Sequence, residues 1–225
     1  MAIAILGGVF LLVLIVVPRL WILTVLHRHS QPREDFPGTG GEFARHLLDG
    51  MKLENVKVEE TDTGDHYHPI SKAVRLKAEH LHGRSLTAVV IAAHEVGHAM
   101  QDATDYPPLQ RRTKLAHLAS YIQQAGAVVL VASPIFAAVI HRPAGLALGA
   151  IAFFLVNVSA VIMHLMTLPV EFDASFNRAL PVLKAGRYIS DRDLKAAKHI
   201  LTAAAFTYVA AALMSIISIG RLLRR

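Results

Sequence analysis

Four long apolar runs constrain this chain more than any other feature. Residues 2–17 (AIAILGGVFLLVLIVV) are uninterrupted, and after Pro18-Arg19 the run resumes as LWILTVL to Leu26. Residues 119–140 (ASYIQQAGAVVLVASPIFAAVI) carry no charge over 22 residues. As a helix that stretch is about 33 Å long, against a hydrocarbon core of about 30 Å. Residues 146–168 and 200–219 are the third and fourth runs. HRPAG at 141–145 makes a tight turn between the middle two, and Gly145 and Gly149 form a GxxxG step that lets helices approach closely. No basic segment precedes the first run and no small-residue cleavage site follows it, so it reads as an anchor, not a signal peptide.

Composition agrees. A chain of 225 residues that is 53% hydrophobic and 18% charged, with mean hydropathy +0.42, is too apolar for a soluble globule. The absence of cysteine excludes disulfides and thiolate metal sites. A net charge of +6 suits either nucleic acid or an anionic membrane surface. No aromatic-basic RNA motif or basic recognition helix is present, so the expected partner is the lipid bilayer and not nucleic acid.

The resulting order is a transmembrane helix at 1–26, a polar block at 27–118, a transmembrane hairpin at 119–168, a second polar block at 169–199, and a fourth transmembrane helix with a basic tail at 200–225. Two spans separate the polar blocks, which places both on one side, as a composite site requires. Within the first block, QPREDFPGTGG is a turn-rich linker, and GEFARHLLDGM reads as a short amphipathic helix ending near Gly50. VKVEET (56–61) and KAVRLK (72–77) alternate like strands.

One short motif carries chemistry. His94-Glu95-Val96-Gly97-His98 reads H-E-x-x-H, inside a stretch (86–101) with no proline and with Ser85 as an acceptable N-cap. Residues four apart share one helix face, so two imidazoles can hold one Zn²⁺ while Glu95 reaches a water beside it. With 13 histidines and eight glutamates, chance alone yields the pattern about 0.03 times per chain. Gly97 costs the helix about 1 kcal/mol relative to alanine, which implies close packing against another element. A strand followed by such a helix is the zincin arrangement, in which an edge strand binds extended peptide by main-chain pairing. Val74, Arg75 and Leu76 are the expected edge.

A catalytic zinc needs a third protein ligand. AMQDATDYPPL after His98 lacks the metzincin H-x-x-G-x-x-H. Glu79, His80 and His82 are nearby if the chain folds back. Glu171, in TLPVEFDASFNRA, is the only glutamate after Glu95 and sits at the mouth of the third span, with Asp173 and Ser175 following at helical spacing. On a second helix it would complete a His₂Glu set.

AAHEVGHAMQ followed by LPVEFDAS, with DHYHP and VRL upstream and AAAFTYVAA downstream, resembles the YugP-type family of membrane-bound neutral zinc metallopeptidases over about residues 38–212. More loosely, E-F-x-A-S resembles the E-F-x-A-D step of the membrane gluzincins related to the CAAX protease and the stress protease of the bacterial inner membrane. The resemblance implies that Glu171 is the third zinc ligand. It departs at Ser175, where those enzymes carry Asp, and at His68, where D-H-Y-D-P is usual. Metal or outer roles do not carry over to those two positions.

Further candidates are His66 and Tyr67 as oxyanion donors, Asp173 beside the ligand, and Tyr208 within the fourth run. His164 near the end of the third run reads as a snorkelling side chain. Arg111, Arg112, Lys114, Arg221, Arg224 and Arg225 read as headgroup anchors. The expectation is a mainly α integral membrane protein with four transmembrane helices and a small α+β zincin-like catalytic domain. It would cleave peptide or membrane-protein substrates with Zn²⁺ on His94, His98 and Glu171 and Glu95 as base. The competing expectation is a non-catalytic membrane scaffold with a structural metal site. By the positive-inside rule Arg19, Arg28, Arg33, Arg111, Arg112 and Lys114 put the polar blocks in the cytoplasm, while Arg142 and RLLRR oppose them. The resemblance to membrane gluzincins tips the balance to a cytoplasmic active site.

Overall fold

Eight α-helices, one π-helical segment and three strands form among the residues described by the computed structural model, 2–140 and 144–222. They fall into two units. One comprises Met1–Ile15, Gln110–Leu168 and Tyr208–Arg225; the other comprises Val16–Leu109 and Pro169–Thr207.

The first unit is built on the middle apolar runs. Helix α5 spans Pro107–Ile140 and helix α6 spans Ala144–Phe172. Val128, Val131 and Ile135 on α5, and Leu146 and Ile151 on α6, are exposed, as lipid-facing side chains are. The glycine step brings the pair together. A Cβ on Gly145 would lie 2.6 Å from the Ala137 amide nitrogen, and one on Gly149 would lie 2.4 Å from Ser133 Oγ. Residues 141–143 of the expected turn, including Arg142, lie outside the described residues, as do Arg224 and Arg225.

Three helices among the described residues are long and apolar enough to cross a bilayer: Pro107–Val139, Ala144–Ala185 and Asp191–Ile217. The expected count of four is corrected to three. The first apolar run does form one helix, α1 (Ala2–Arg28), through Pro18. From Val16 onward, however, it belongs to the second unit. There Val25 is buried, and Trp21, Ile22 and Leu26 pack against that unit's core. One side of this half of the run therefore faces protein, while Val16, Val17, Leu20 and Leu23 stay exposed; apolarity alone does not distinguish the two.

The second unit is α+β. Helix α2 (Gly40–Gly50) starts at a capping box, in which Thr39 Oγ1 accepts from the Glu42 amide and the Glu42 carboxylate accepts from the Thr39 amide. Strands β1 (Lys57–Glu60), β2 (His66–His68) and β3 (Ala73–Leu76) follow. A single turn α3 (Ala78–Leu81) leads into helix α4 (Leu86–Ala103), whose N-cap is Ser85 accepting from the Ala88 amide at 3.2 Å. The sheet order is β1-β3-β2, with β1 parallel and β2 antiparallel to β3. Val74, Arg75 and Leu76 therefore lie on the central strand, not on an edge. A strand hydrogen-bonded on both sides has no free main-chain groups for a substrate. The unpaired edges are β1 and β2. Strand β2 arises from DHYHP, too short and too polar for alternation to reveal.

Beyond α6 the same helix continues through a π-helical segment (Asp173–Ala179) into α7 (Leu180–Ala185), and α8 (Asp191–Leu222) follows. Leu48, Leu76, Val90, Val96, Leu183 and Ile200 fill the core of this unit.

Candidate metal centre

Helix α4 presents His94 and His98 one turn apart, with ring centroids 4.7 Å apart and planes at 78°. Glu171, at the end of α6, closes on both: its Oε2 lies 3.2 Å from His94 Nε2 and 3.5 Å from His98 Nε2. Among the described residues this is the only group of histidines and acids whose ligand atoms gather, all within 4.8 Å of one another. His98 and Glu171 are buried and His94 is half-buried.

The hydrogen bonds behind the rings fix which nitrogen faces the group. Gln101, fully buried, uses its Nε2 to donate to the Val170 carbonyl and to Asp173 Oδ2, both at 2.8 Å. Its Oε1 is then the atom 2.9 Å from His98 Nδ1, so His98 Nδ1 must carry the proton and donate it. The Nε2 of His98 is left facing Glu171. Ser175 Oγ lies 3.1 Å from His94 Nδ1, which leaves His94 Nε2 facing Glu171. Two imidazole Nε2 atoms and a carboxylate oxygen turned toward one point make a donor set for one shared cation. Zinc fits this set: ligand bonds of 2.0–2.2 Å at tetrahedral angles put neighbouring donors about 3.3 Å apart.

Helix α4 can come this close because of Gly97. A Cβ there would lie 2.7 Å from the Ala174 carbonyl oxygen. The π-helical segment begins two residues after Glu171 and contains Ser175; such segments recur at functional sites.

Glu95 is buried beside the ligands, 5% exposed. Burial, opposed by His94 and reinforced by the charges of Glu171 and Asp65, pushes its carboxyl up to about 7. The Tyr67 amide of β2 donates to it. The Tyr67 hydroxyl donates to Asp102 Oδ2 at 2.5 Å, and Lys72 pairs with the same carboxylate. Burial and Asp102 together raise the Tyr67 pKa, so the phenol keeps its proton.

A family described as "Putative neutral zinc metallopeptidase" matches residues 3–225. The "Putative membrane protease YugP" of Bacillus subtilis (strain 168) is 34% identical over 196 residues, covering 86% of this chain and 83% of that protein. The chain belongs to the neutral zinc metallopeptidase family. No solved structure matches it.

For this member of the neutral zinc metallopeptidases, several residues named from the sequence stand apart from the three donors. Asp173 is held by Gln101, by Arg178 Nε at 2.7 Å and by Asn177 at 3.1 Å. His66 Nδ1 bonds the Gly64 carbonyl at 2.7 Å. His80 pairs with Asp65 and His82 with Glu60, each at 2.9 Å, and Glu79 is exposed. Tyr208 belongs to the other unit. Gln101 and Asp102 escape a reading of the sequence. Their only signal is position, three and four residues after His98 and so on the metal face of α4.

Gly97→Ala is expected to weaken zinc binding and destabilise the fold. Alanine adds up to about 1 kcal/mol of helix propensity, but the clash with backbone costs about 1–3 kcal/mol and separates α4 from the segment bearing Glu171 and Ser175. Thermal unfolding and zinc content of the purified variant measure both effects. A Tm and zinc content equal to wild type would show that the close approach is not needed.

Proposed function

We propose that this multi-pass membrane protein is a zinc-dependent endopeptidase of the HExxH, gluzincin-like type. The observation that carries the reading is the convergence of His94, His98 and Glu171 on one point with Glu95 buried beside them. His94, His98 and Glu171 would hold the ion. When bound, zinc supplies Lewis acidity, lowering the pKa of a water and polarising a carbonyl. Glu95 takes the proton of the attacking water and delivers it to the leaving amine; a carboxyl near pH 7 suits both transfers. Gln101 and Ser175 hold the two imidazoles with Nε2 turned inward. A non-catalytic scaffold with a structural site is the weaker reading, because structural zinc takes four protein ligands and three gather here among the described residues.

The detergent-purified protein is expected to carry one zinc per chain and to cleave an unstructured protein substrate. A chelator should remove both properties, and added Zn²⁺ should restore them. A protein that holds zinc but never cleaves would favour the scaffold.

The site is proposed to face the cytoplasm: Arg19, Arg28, Arg33, Arg111, Arg112 and Lys114 favour that side, Arg142 and the RLLRR tail oppose it, and the looser resemblance to the membrane gluzincins tips the choice. The chain has no cysteine, so a single thiol reports cleanly. Asp62→Cys, at an exposed position, should resist a membrane-impermeant maleimide in intact cells and react after lysis. Labelling in intact cells would reverse the orientation.

A further inference from the structure

The second unit contains a cavity of about 830 Å³ that the metal centre does not use, within the range of about 300–1,000 Å³ of ligand sites. His29, just past α1, and Arg33 line one side; Arg192, Lys195 and His199, on the first turns of α8, line the other.

The charges in this cavity are unequal. Arg33 is committed: its guanidinium grips Asp193 at 2.7 and 3.0 Å and also pairs with Asp35. Those two carboxylates are the only acids lining the cavity. Arg192 and Lys195 are exposed and make no ion pair within bonding distance among the described residues. Three cations against two carboxylates leave an excess of one positive charge, with two imidazoles available as hydrogen-bond donors.

The neighbourhood is that of a membrane–water interface. Trp21 of α1 lies 5.7 Å from the His199 ring and 5.7 Å from the Phe206 ring, both on α8. Trp21 thus packs against α8, one of the three helices able to span, and tryptophan is enriched at the membrane–water interface. Arg192 and Lys195 lie one to two helical turns toward the polar end of α8 from His199, about 6–10 Å along its axis. That is where phosphates of a lipid layer lie. Cations that only anchor a helix point outward into headgroups; these border a cavity within the unit.

We propose that this cavity is a phosphate site, filled by the phosphodiester of an anionic phospholipid headgroup. Arg192 and Lys195 supply its charge contacts, and His29 and His199 its hydrogen bonds. One negative charge neutralises the excess.

Trp21 is the only tryptophan and lies 5.7 Å from the His199 ring that lines the cavity, so its fluorescence is a single-site probe of this neighbourhood. In vesicles of phosphatidylcholine and phosphatidylglycerol, bromine is placed on the chains of one lipid or the other. Brominated phosphatidylglycerol should quench Trp21 at a several-fold lower mole fraction than brominated phosphatidylcholine, since each cation near an anionic headgroup is worth about a fivefold preference. Arg192→Gln with Lys195→Gln, both at exposed positions, should abolish that preference. A second arm titrates soluble glycerol phosphate. Displacement of the brominated lipid, or a change in Trp21 emission lost in the double variant, would assign the same phosphate site to a soluble ligand. Equal quenching by both lipids with no response to glycerol phosphate overturns the proposal. So does a preference unchanged in the double variant.

Discussion

Glu95→Gln is expected to lower peptide hydrolysis by about 10²–10⁴-fold while zinc stays bound, the range for loss of a general base. That corresponds to about 3–5 kcal/mol of barrier. The site explains why the change should be so selective. Glu95 is not among the three gathered donors, so an amide there removes no ligand. Glutamine keeps an oxygen to accept the Tyr67 amide and matches the carboxylate in size, so the packing of α4 against β2 survives. It cannot accept the water's proton. The measurement pairs kcat/KM on a peptide substrate with metal analysis of the same sample. Turnover near that of wild type would remove Glu95 from the mechanism, and lost zinc would mean it is a ligand.

Glu171→Ala should lower zinc affinity by more than 10²-fold, because it removes a donor outright, whereas loss of an outer partner typically costs 10–100-fold. Gln101→Leu should fall in that smaller range. It leaves all three donors in place but frees the His98 ring, and strands the Val170 carbonyl and Asp173 that the amide now satisfies. Asp173→Ala should cost less than Glu171→Ala, since Asp173 reaches the centre only through Gln101. Competition against a fluorescent zinc chelator ranks the three. Retention of full affinity in Glu171→Ala, with loss on substitution of Glu79, His80 or His82, would move the third ligand to the first polar block.

What could be read from the sequence was local. Four-residue spacing on a helix fixes His94 and His98 on one face whatever surrounds them, because 3.6 residues per turn is a property of the backbone. Ser85 as the start of α4, helix α2 and strands β1 and β3 were legible for the same reason: caps and alternation act over a few residues. The cost of Gly97 within a helix likewise implied a close neighbour, though not which one.

Pairing between distant segments was decided only by the tertiary structure. Glu171 lies 77 residues from His94, and no periodicity links them; α6 and its π-helical continuation bring the two together against Gly97. Strand order is equally non-local. Val74, Arg75 and Leu76 have the alternation of an edge or of a centre, and the insertion of β3 between β1 and β2 decides for the centre. The first apolar run shows the limit most plainly. Its composition suits lipid and protein interior alike, and the packing of Trp21, Ile22, Val25 and Leu26 on the α+β core assigned one side of its second half to protein. Sequence sets what each segment prefers, since helix, strand and apolarity are settled within a few residues. Which segment meets which depends on burying those surfaces together, a property of the whole chain.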